Sequence, residues 1–99
     1  MYLINIQAKP KKKSDYYKQY AGAFVSVYVD YKDLNGAINL AKYYVKEEGW
    51  KVVKVEDEYF TLDSLEDVNN DESQIELYNE ALVYGYSIIL NCYEEDEEE

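Results

Sequence analysis

The sequence predicts an α+β fold of ferredoxin-like type: a two-layer sandwich with a four-stranded sheet and two helices on one face, in the order β-β-α-β-α-β. Three observations lead to it. Four segments alternate apolar and polar residues or run apolar for a strand's length. Two others place apolar residues at i, i+3, i+4 and i+7. The strand–helix–strand theme then occurs twice, each time with enough chain for a crossover.

The first strand covers residues 2–8, with Tyr2, Ile4, Ile6 and Ala8 on one face. Pro10 ends it, having no amide hydrogen to give a ladder. A basic, tyrosine-rich connection follows, with Lys9, Lys11, Lys12, Lys13 and Lys18 interleaved with Tyr16, Tyr17 and Tyr20 and closed by Ala21 and Gly22. Its length suits an irregular helical turn and an induced-fit contact.

Residues 23–55 form the central unit. Ala23, Val25, Val27, Val29 and Tyr31 share one face of the second strand, while Phe24, Ser26, Tyr28 and Asp30 take a partly wet face. Asp33 or Asn35 caps a helix whose buried stripe is Leu34, Ala37, Ile38, Ala41 and Val45. Gly49 supplies the positive φ that ends it. Trp50 opens a third strand to Val55, with residues 56–62 as its frayed end or a turn.

Residues 63–71 read as a polar connector in which Leu62, Leu65 and Val68 anchor a short helical turn. Ser73 and Glu76 match a capping box for a second helix with the stripe Ile75, Tyr78, Ala81 and Leu82, ended by Gly85. The last strand spans residues 86–93, and its continuous apolar centre predicts an interior place in the sheet. The domain is therefore residues 1–93, and residues 94–99 form a solvated, disordered acidic tail.

Composition excludes much chemistry. The 99 residues allow one core. No apolar run approaches the ~18 residues of a membrane span, and the N-terminus lacks a signal peptide's basic and apolar regions. The single cysteine, Cys92, fits a reducing, cytoplasmic setting. There is no histidine, hence neither the usual neutral-pH base nor the commonest metal ligand. All ten cations are lysine, so no guanidinium fork is available for phosphate.

Charge is unevenly distributed within the net −11. Residues 1–20 hold five lysines and one aspartate, and residues 21–55 five lysines against four acids. Residues 56–99 hold sixteen acids and no base. Such a half keeps a small protein soluble, and it also suits a basic protein partner met through salt-sensitive attraction. Its candidate contacts are Glu56, Asp57, Glu58, Asp63, Glu66, Asp67, Asp71 and Glu72, with Tyr28 and Tyr43 as aromatic contact area.

Other motifs weigh less. Residues 67–73 resemble the opening of a calcium loop, but its sixth position is Glu72 where glycine is required, and its twelfth is Tyr78 where a bidentate Glu is required. A solvated turn is the better reading. The lysine cluster with its tyrosines suits a nucleic-acid arm, which the negative field opposes, so nucleic acid is not the expected partner. Folding back onto the acidic half is the alternative. Cys92, on a predicted interior strand, reads as inert core. The four glycines are isolated, so no phosphate loop exists. No cofactor, metal or enzymatic activity is expected.

The expected function is that of a non-catalytic binding or inhibitory protein masking a basic surface of a protein partner. In size, acidity and lack of catalytic residues the chain resembles bacterial immunity proteins and phage-encoded anti-defence proteins, a likeness of composition that carries no motif. The alternative is a structural homo-oligomeric module, a homodimer at its simplest, self-associating through the open sheet face with Phe24 and Tyr28.

Overall fold

The computed structural model describes residues 1–13, 17, 19–62 and 72–94. Readings that fall on residues 14–16, 18, 63–71 and 95–99 lie outside it: part of the basic, tyrosine-rich connection, the whole 63–71 connector with the start of the calcium-like loop, and the tail beyond Glu94. The described elements are β1 (Tyr2–Pro10), β2 (Gly22–Val29), α1 (Leu34–Glu47), β3 (Trp50–Thr61), α2 (Glu72–Tyr84) and β4 (Tyr86–Tyr93). They make an α+β fold with one four-stranded antiparallel sheet in the order β3-β1-β2-β4.

The central unit is a split βαβ. β2 and β3 each run antiparallel to β1, so they are parallel to each other with β1 between them. Asp33 caps α1, its carboxylate accepting from the Gly36 amide at 2.8 Å. Gly49 ends the helix with φ 92°. The stripe Ala37, Ala41 and Val45 is buried against Ile4, Ile6, Ala8, Ala23, Val25, Val27, Val29 and Trp50. This core uses one face of the sheet, and Ile88 and Leu90 of β4 extend it.

The second helix departs from expectation. α2 does not share the face of α1. Tyr78 and Ala81 pack on Tyr28 and Leu62, with Leu3 alongside. Leu3 pairs with Tyr28 and belongs to the opposite face from Ile4 and Val27. Ser87 Oγ donates to the Leu77 carbonyl of α2 at 2.7 Å, from the same side. The ferredoxin-like layout with both helices on one face is thus corrected to one helix on each face. The physical reason lies in β1 and β2, whose second faces carry Leu3 and Tyr28. Those side chains need cover, and α2 provides it at one end of the sheet only.

Three local expectations also change. α2 already includes Glu72, so Ser73 lies within its first turn and is not its N-cap. β3 runs unbroken to Thr61, past the predicted fraying point. β4 is an edge strand, not an interior one. Its apolar centre reflects cover on its faces: Ile88 and Leu90 meet the α1 core, and Ser87 meets α2. Face burial and edge pairing are separate properties, and only the first is written in hydropathy.

Candidate functional site

α2 covers only the end of its face near Leu3 and Tyr28, which leaves the rest of that face open. The floor there is polar and internally bonded. Ser26 Oγ donates to Asn5 Oδ1 at 2.9 Å, and Gln7 Nε2 donates to Glu56 Oε2 at 2.6 Å. Phe24 stands on this floor 55% exposed, its ring 5.3 Å from that of Tyr93. Tyr93 lies over Gly22, where a Cβ would meet the Tyr93 ring and the Ala8 carbonyl, so the glycine is required by close approach.

The acidic wall of this face arises from a bulge. Ile6 pairs with Val55 and Ile4 with Tyr59, so Glu56, Asp57 and Glu58 all pass the single residue Asn5. The two extra residues leave the alternation of β3 intact, so Glu56 and Glu58 share the open face and both lie abreast of Asn5, with Asp57 on the other face. Glu56 and Glu58 border a shallow depression of about 310 Å³ on the open face, shared with Asn5, Gln7 and Phe24. Asp57 borders another of about 280 Å³ on the α1 side, with Leu34, Ile38 and Lys42. A floor of amides, two carboxylates on one side and an aromatic ring on the other suits a cationic side chain.

The predicted contacts separate under this geometry. Glu56 is half-buried, and Asp57 and Glu58 are exposed on β3. Glu72 is exposed at the start of α2. Tyr43 is 55% exposed on α1, across the sheet from Glu56 and Glu58, with its ring edge-on to Tyr44. Tyr28 is corrected: at 3% exposure beneath α2 it is core, not contact area. Asp63, Glu66, Asp67 and Asp71 lie outside the described residues. Sequence reasoning missed Asn5, Gln7 and Ser26 as parts of a site. The available signal was the polar second face of β1, in register with that of β2.

Of the basic connection, residues 14–16 and 18 lie outside the described residues. Lys11 folds onto the end of α1, its Nζ donating to the Lys46 carbonyl at 2.9 Å, where a cation complements the helix dipole. Tyr20 packs against the main core, while Tyr17 is exposed. Cys92 is also corrected. It is exposed on edge strand β4, and what burial it has pushes its thiol pKa up, so it stays protonated at neutral pH.

Among the described residues no three Asp, Glu or Cys side chains gather in a metal-holding cluster, and no helix is long and apolar enough to cross a membrane. Compared with known proteins, the chain matches no family model, no curated protein and no solved structure.

Proposed function

We propose that the protein is a non-catalytic binding protein that masks a basic surface of a protein partner, with the open half-face and its acidic bulge as the contact. The observation that carries this reading is the bulge opposite Asn5. Its two extra residues bring both open-face carboxylates, Glu56 and Glu58, abreast of Asn5 on a polar, aromatic-flanked floor, one of them bonded by Gln7. Carboxylates held this way meet lysine or arginine at lower ordering cost than carboxylates left free to rotate. The excess negative charge of the C-terminal half adds long-range attraction and sets the salt dependence.

The test is affinity capture from the host at low and high salt, with three baits. These are the wild type, the triple variant Glu56→Gln, Asp57→Asn, Glu58→Gln, and a chain truncated after Tyr93. A basic protein held by the wild type and the truncated chain but lost by the triple variant supports the reading. Retention by the triple variant rejects the bulge as the contact.

A further inference from the structure

The two edges of the sheet are protected unequally. β3 carries Lys51, Lys54, Glu56, Asp57 and Glu58 along its length, and two register shifts disturb its ladder. Charges and bulges of this kind stop an edge from pairing with another chain. β4 has neither: Tyr86–Tyr93 contains no charged residue and no proline, and it pairs with β2 without a register break. The turn of α2 leading into it exposes Leu82, Val83 and Tyr84, the last two 74% and 71% exposed.

We propose that β4 pairs antiparallel with β4 of a second copy, joining two sheets into one eight-stranded sheet across a twofold axis at Ile89. This is independent of the basic-partner reading and uses a different surface. Charge selects the occupant. A strand from a basic partner would find no carboxylate along Tyr86–Tyr93, whereas a second β4 is uncharged, Ile/Leu-centred and tyrosine-ended, like the edge it meets. Charge also selects the direction, because antiparallel pairing sets the two Glu94 residues at opposite ends of the pair and parallel pairing would set them side by side.

The register follows from the ladder. The Asp30 amide donates to the Gly85 carbonyl at 2.9 Å, and Val29 lies opposite Tyr86. In an antiparallel pair, residues that bond across alternate with residues that do not. Ser87, Ile89, Asn91 and Tyr93 therefore turn their backbone groups to β2, and Tyr86, Ile88, Leu90 and Cys92 turn theirs outward. One symmetric register uses all four outward residues: Tyr86 opposite Cys92 of the second copy, and Ile88 opposite Leu90. Ile89 then faces its own copy across the axis in a non-bonded pair. Cα atoms in such a pair are about 4.5 Å apart, inside the ~4.4–6.8 Å that a disulfide spans. The two Cys92 residues are six positions out of register, roughly 20 Å apart.

Sedimentation and oxidative cross-linking test this. The wild type is expected at twice its 11.7 kDa mass at high concentration and at 11.7 kDa on dilution. Salt should strengthen the association, since each copy carries −11. Ile89→Lys should be monomeric with an unchanged circular dichroism spectrum. Under mild oxidation Ile89→Cys in a Cys92→Ser background should give a covalent dimer, and native Cys92 should not. A wild type that stays monomeric at every concentration and salt overturns the proposal. So does a dimer that survives Ile89→Lys, or one in which native Cys92 cross-links and the Ile89→Cys variant does not.

Discussion

Gln7 Nε2 and Glu56 Oε2 meet at 2.6 Å although Gln7 sits opposite Lys54 in the ladder. The bond is therefore diagonal, and it ties β1 to the bulged stretch of β3 where the pairing is interrupted. Gln7→Ala should lower stability by about 1 kcal/mol, the net worth of a partly exposed hydrogen bond. Gln7→Glu should cost more at low salt, because two carboxylates then face each other, and the difference should shrink as salt is added. Urea unfolding at two ionic strengths measures both.

Tyr28 and Tyr43 give opposite predictions from one residue type. Tyr28, beneath α2, should cost about 3 kcal/mol or more when cut to alanine, as large aromatic truncations in cores do. Tyr43→Ala should stay within about 0.5 kcal/mol, the usual range for a surface position. Similar melting temperatures for the two variants would contradict the placement of α2.

Gly85 links α2 to β4 at φ 90°, with open space where a Cβ would stand. Any loss on Gly85→Ala is therefore backbone strain alone, about 1–2 kcal/mol. Gly85→Asn should lose less, since asparagine tolerates the left-handed region. Thermal unfolding of the pair separates strain from collision.

Cys92 offers a pH-dependent readout. Its folded-state pKa lies above the unfolded one, because burial disfavours the thiolate. Folding therefore holds the proton through the alkaline window between the two values. The thiol's small contribution to stability is complete below the unfolded pKa and lost as pH rises through the folded one. Reaction with a thiol reagent should be slower in the folded chain than in urea near neutral pH, with the gap closing above the folded pKa.

Much of the fold was legible in the sequence where one residue's chemistry decides its position. Gly49 ends α1 as expected, and Asp33 is the cap of the two that the sequence offered with Asn35. The alternation in β1 and β2 places the main core, except that Tyr31 falls past the end of β2 and is exposed. The side of the sheet taken by α2 was not legible. Leu3 and Tyr28 hint at a second apolar face, but period-two patterning does not say which helix covers which face. The bulge at Glu56, Asp57 and Glu58 was legible only as charge, because two extra residues in a strand leave no hydropathy signature. For β4, the apolar centre reported covered faces and was silent on the edge. Three consecutive acids were thus visible as candidates, while the floor of Asn5, Gln7, Ser26 and Phe24 that gives two of them a shape needed the strand register.

The most direct test of the acidic bulge as the working surface is the affinity of the captured basic partner, measured by calorimetry for three chains. Neutralising Glu56, Asp57 and Glu58 should weaken binding about tenfold or more, roughly 1.4 kcal/mol, and flatten its salt dependence. Removing residues 94–99 should leave the affinity within about twofold at moderate salt, where charges away from the contact are screened. The reverse pattern, with the bulge variant binding as the wild type does and the truncated chain failing, would contradict the account and give the function to the tail.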